Sequence, residues 1–99
     1  MARIFMTGEL TIYQAAALKQ QLAAALEQSH MDLEPIRIDL SGVTECDGAG
    51  LQLLLASAKS VAGTETELIL HQVPESITEL FNTYNITNRF TLVQEPINE

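Results

Sequence analysis

The stretch that most restricts the fold runs from Ile36 to Leu55, where an alternating apolar segment passes through a glycine-containing turn into a Leu-rich helix. Ile36-Arg37-Ile38-Asp39-Leu40 alternates apolar and polar side chains, which predicts a central strand ending at a polar turn. Asp47 then stands before a helix predicted from Gly48 to about Ala62. Gly48 and Gly50 are poor helix formers placed in the first turn. Small residues there are expected to leave the backbone N–H groups of residues 48 to 51 uncovered. Helix N-termini carry free donors and partial positive charge, so this corner suits a partner's acceptor. A plainer alternative is that Asp47 only caps the helix and the glycines only shape a tight turn.

Along that helix Leu51, Leu54, Leu55, Ala58 and Ala62 recur at helical spacing and are the expected core face. Ala49, Gln52, Leu53, Ala56 and Ser60 share the opposite side. At about 100° per residue, Leu51 and Leu53 point roughly 160° apart. The outer face is thus small and weakly apolar, which signals an interface. Burial of Leu53 against another element of the same domain is the competing explanation.

Asp39-Leu40-Ser41 followed by Asp47-Gly48-Ala49-Gly50-Leu51 resembles the signature of the STAS family, the anti-sigma-factor antagonist and sulfate-transporter-type domains. Gly8-Glu9-Leu10 matches a further element of that family, and the position after it, often Asp in the antagonists, is Thr11 here. The resemblance extends from Arg3 to Val93. It implies a single α/β domain over residues 1–99, with a mostly parallel (mixed) sheet of four to five strands and helices mainly on one face. It also implies that Asp39 and Asp47 brace one corner. In the antagonist branch the residue after the second Asp is the serine that a partner kinase phosphorylates. Gly48 stands in that position, so a phosphoacceptor is missing there.

The function implied is a non-enzymatic regulatory module that docks a protein through the Asp47 corner and the following helix. Its partner-binding residues would be Thr11, Asp47, Gly48, Ala49, Gln52, Leu53 and Ala56. An anti-sigma-type kinase or a chemotaxis component would be the partner. The alternative is an accessory STAS subunit binding the ATPase of an ABC phospholipid transporter, whose turn is often Asp-Thr-Ala-Gly or Asp-Thr-Gly-Gly.

Composition narrows the choice further. A net charge of −8 with only five basic residues argues against nucleic acid and against docking on an anionic membrane. One cysteine allows neither an internal disulfide nor a cysteine-based zinc site, and Cys46 is expected to act as a small buried hydrophobe. Asp39, Asp47 and Glu45 raise acid–base chemistry or a metal. However, His30 and His71 are distant in sequence, so capping and turn roles are expected, with no catalytic residue, metal or cofactor. Neither a signal peptide nor a membrane span is visible, which predicts a free-standing cytoplasmic protein.

The remaining chain supplies alternating elements. A strand is expected over Arg3 to Thr7, ended by Gly8. Thr11 to Gln14 has the form of a capping box, before a helix running to about Ser29. Glu67 to His71 is the next strand, with His71 at the surface or bonding a turn backbone. Pro74 suits the first position of a helix striped by Ile77, Leu80, Phe81 and Tyr84. Asn85 is expected as a left-handed cap, Phe90 to Val93 as the last strand, and Gln94 to Glu99 as a loose tail. Strands and helices in alternation predict a largely parallel sheet.

Overall fold

The computed structural model describes residues 2–11, 16–17, 19–25, 27, 35–64 and 66–97. Strand β1 is Ala2–Leu10, and helix α1 comprises the described helical residues 16–17, 19–25 and 27. There follow β2 (Ile36–Cys46), α2 (Gly48–Val61), β3 (Leu68–His71) and α3 (Glu75–Thr83). A 3-10 turn at Thr87–Arg89 leads into β4 (Thr91–Val93). The predicted capping box at Thr11 to Gln14 and the connection around His30 involve positions outside the described residues.

The four strands lie side by side in the order β1-β2-β3-β4, and each neighbouring pair is parallel. Every crossover therefore steps the same way across the sheet. Right-handed crossovers then place the connecting helices on one face. The core shows this directly. Ile4 and Met6 of β1, Ile36, Ile38 and Leu40 of β2, and Leu68 and Leu70 of β3 occupy alternating positions. They pack with Leu22, Leu51, Leu54, Val61, Ile77 and Phe81 from the three helices. Phe81 is fully buried and stacks on Phe90 with ring centroids 4.5 Å apart, which ties α3 to the approach to β4.

Several expectations need correction. The Ser41–Cys46 segment is strand rather than turn, because it pairs with the second half of β1: Thr7 with Gly42, Gly8 with Val43, Glu9 with Glu45 and Leu10 with Cys46. For the same reason β1 does not stop at Gly8 but continues to Leu10. On α2 the buried line is Gly50, Leu51, Leu54, Ser57 and Val61. Leu55 and Ala58 are only half-buried and Ala62 is exposed, so the core stripe is rotated away from the side carrying them. Leu53 is half-buried and packs against the core, the competing explanation for that residue. Gly63, at φ +80°, follows the end of α2 as a left-handed cap, and Asn85 at φ 58° does the same after α3. Pro74 precedes α3 as its cap rather than opening it.

The start of α2 is seated on the end of β1. Asp47 N–H donates to the Leu10 carbonyl at 3.2 Å. A Cβ on Gly50 would collide with that same carbonyl, whereas one on Gly48 would meet nothing within 4 Å. The glycine at position 50 is thus a packing requirement, and the one at position 48 is not.

Polar groups gather on the opposite face of the sheet. His71 is 2% exposed, so of its two expected placements the surface one is corrected and the backbone-bonding one holds. Its Nε2 lies 3.0 Å from the Arg37 guanidinium and its Nδ1 lies 2.8 Å from the Glu95 carbonyl. Arg can only donate, so Nε2 accepts and Nδ1 carries the proton given to Glu95. The expected loose tail is also tied down near its start. The Gln94 side chain accepts from Val73 N–H at 2.8 Å and donates to the Val73 carbonyl at 3.1 Å, in place of a further strand bridge.

Two stability measurements test this account. Gly50→Ala should destabilise the domain by about 1–3 kcal/mol through overpacking, while Gly48→Ala should leave the urea midpoint unchanged or raise it. Gln94→Ala should cost about 1–3 kcal/mol, because it strands the amide of the buried Val73. Equal midpoints for Gly50→Ala and Gly48→Ala would contradict the packing argument.

Candidate functional site

Asp47 is the N-cap of α2, with extended backbone (φ −98°, ψ −176°). Its carboxylate accepts from Gly50 N–H at 2.9 Å, and its carbonyl accepts from Leu51 N–H at 3.0 Å. The expected row of four uncovered donors is therefore halved. Those of Gly48 and Ala49 remain without a partner among the described residues. Both Asp47 and Gly48 are exposed, so the corner faces outward beside the positive end of the helix.

Open clefts flank this corner. On one side a cavity of about 300 Å³ is lined by Thr11, the Thr44–Cys46 end of β2, Asp47, and Ser76, Ile77 and Leu80 of α3. On the other, a cavity of about 300 Å³ runs between α2 and α3 and is lined by Asp47, Gly48, Leu51, Gln52, Leu55, Leu80 and Tyr84, among others. A further cavity of about 440 Å³ continues along α2 past Gln52, Leu55 and Ala56 to Lys59, with Ile86 and Arg89 opposite.

The fold thus brings Thr11, Asp47, Gly48, Gln52 and Ala56 onto one connected surface. Ala49 and Leu53 belong to the other flank of α2, where both are half-buried. Sequence periodicity missed Leu55, Leu80, Tyr84 and Ile86 as groove residues. Tyr84, 62% exposed, ends a stripe in which Ile77 and Phe81 are buried and Leu80 half-buried, and a phenol at the last turn was the available signal.

Asp39 and Asp47 do not share a corner, contrary to the expectation drawn from the resemblance. Seven residues of β2 separate them, on the order of 20–25 Å of extended chain. Asp39 is buried and accepts from Ser41 N–H at 2.8 Å and Ser41 Oγ–H at 2.6 Å. It is aligned with Phe5 on one side and His71 on the other. The two carboxylates cannot act on one substrate atom.

Cys46 is half-buried against the core, and burial, helped by the neighbouring Asp47 carboxylate, pushes its thiol pKa upward. That disfavours the thiolate needed of a nucleophile. No group of three or more His, Cys, Asp and Glu among the described residues is placed to hold a metal ion. No helix among them is long and apolar enough to cross a membrane. What the corner offers is a surface of apolar grooves with polar ends, suited to binding.

Comparison with known proteins bears on the family and the fold. The chain matches the family model described as "Mlab, STAS domain" over residues 2–94. Its fold is similar to the crystal structure of a Thermotoga maritima protein described as "a putative anti-sigma factor antagonist", with a TM-score of 0.78 at 18% identity. That similarity covers 94% of this chain and 80% of the other. No curated protein matches the chain. Nearly the whole chain is spanned by the family model, and it belongs to the STAS domain family, whose members are generally non-catalytic modules that bind protein partners.

Proposed function

We propose that this STAS domain docks a signalling protein through the Asp47 corner and the exposed flank of α2, and that Gly48 frees this contact from control by phosphorylation. The observation that carries the reading is the position of Asp47, exposed between two clefts that hold Thr11 on one side and Gly48 and Gln52 on the other. Family membership supports the coarser statement, a regulatory protein-interaction module. An anti-sigma-type kinase fits the finer one, and a chemotaxis component or the ATPase of a transporter would use the same surface.

Regulation follows from charge. A phosphate after Asp47 adds nearly two negative charges beside Asp47 and Glu45 and repels an acidic or apolar partner. Gly48 has no hydroxyl, and Ala49 has none either. Ser41 and Thr44 are the nearest hydroxyls preceding Asp47, and Ser41 Oγ is engaged by Asp39.

The test is capture of the partner from the native host, then calorimetry with variants. Gly48→Asp mimics the missing phosphate in open space, so its affinity should fall at least tenfold, about 1.4 kcal/mol. Its stability should hold or rise slightly, because an acid suits a helix N-terminus. Gly48→Ser should bind like wild type until a kinase acts. Undiminished affinity in both Gly48→Asp and Ala56→Arg, or phosphate found on residues 41–44 of the isolated protein, would overturn the reading.

A further inference from the structure

The groove between α2 and α3 has ends of opposite charge. Its floor is apolar: Leu51 and Leu55 one turn apart on α2, with Leu80 and Ile86 opposite. Lys59 and Arg89 stand together at the end near the C-terminus of α2. Asp47 stands at the other end. These are two of only five basic residues in a chain of net charge −8. Both are exposed, and neither side chain has a partner among the described residues.

We infer that this groove receives an amphipathic helix of the partner, about three turns long, with carboxylates at the end seated over Lys59 and Arg89. The inference rests on the docking reading above and adds the shape and charge order of the docked segment. Length supports a helix: Gly48 to Lys59 spans about 16 Å at 1.5 Å per residue, the reach of some three turns. Side-chain spacing supports it as well. Leu51 and Leu55 form an i, i+4 ridge of the kind that packs against the ridges of another helix. Gly48 and Ala56, small and exposed on the rim, permit close backbone approach. Charge fixes the placement. Carboxylates over the two cations gain favourable contacts, whereas the same groups over Asp47 are repelled.

The test screens the intact protein against a displayed library of 14-residue helix-forming peptides. Enriched peptides should carry an apolar i, i+3, i+4, i+7 stripe with Glu or Asp clustered at one end. Lys59→Glu with Arg89→Glu should weaken such a peptide at least tenfold, and a peptide with Lys at that end should recover binding to the double variant. Chemical-shift changes should centre on Leu55 and Ile86 and shrink as salt rises. Enrichment of peptides without an acidic end, no enrichment, or binding indifferent to the double reversal would refute the inference. So would sodium dodecanoate shifting the same resonances when no peptide does, which would make the groove a small-amphiphile site. A host partner lost with Gly48→Asp but unaffected by the double reversal would leave the docking reading standing and remove this one. Peptide binding as described, beside a host partner insensitive to both Gly48→Asp and Ala56→Arg, would do the reverse.

Discussion

The seating of α2 on the end of β1 is the contact on which the site depends. The Leu10 carbonyl takes the Asp47 amide, and Gly50 passes so near it that no side chain fits between. Two backbones meet at van der Waals distance, and position 50 of the helix is thereby held against the first strand. Asp47 completes the arrangement by capping the amide of Gly50 itself. One glycine therefore joins a strand, a cap and a helix. The outward corner at Asp47 and Gly48 is what that junction leaves exposed. Because the junction is backbone on backbone, it asks nothing of position 48, where a Cβ would meet nothing within 4 Å.

The one-sided layering of the domain separates packing from recognition. Parallel strands in sequential order direct all three helices to one face, where α2 and α3 are both apolar towards the sheet. The helices are cylinders, and side chains that cover the sheet between them do not fill the trough above it. That trough is the groove that runs from Asp47 to Lys59. On the other face of the sheet, Arg37, His71 and the Glu95 carbonyl satisfy one another. Buried polar groups there are paired and hold the segment after β4 in place. They carry structure, while the helical side carries the binding surface.

The separation of Asp39 from Asp47 has a geometric cause. β2 runs on past Asp39 for seven more residues to pair with β1, so its two acidic landmarks are drawn apart. Each then serves its own local need, Asp39 the Ser41 amide and hydroxyl, Asp47 the first turn of α2. Cys46, beside the corner, is disfavoured as a thiolate by its burial. The corner presents shape, charge and the Gly48 and Ala49 backbone donors.

Features set within a few residues were legible in the sequence. Asp47 before Gly48 marked the helix start, Gly63 and Asn85 marked two helix ends, and the alternation of Ile36 to Leu40 marked a buried strand, because capping, positive φ and strand period are local properties. The order of strands and helices, and so the parallel sheet, followed from them. Tertiary structure decided whatever needed a distant partner. Pairing with Thr7 to Leu10 made strand out of an expected turn, and thereby parted Asp39 from Asp47. Arg37 and Glu95 turned His71 inward, and Val73 gave the Gln94 side chain a place in what reads as a tail. Periodicity found two sides of α2, but only its neighbours determined which flank is covered. Leu53 is packed against the core and Leu55 faces the groove, since a helix in isolation has no reason to prefer either.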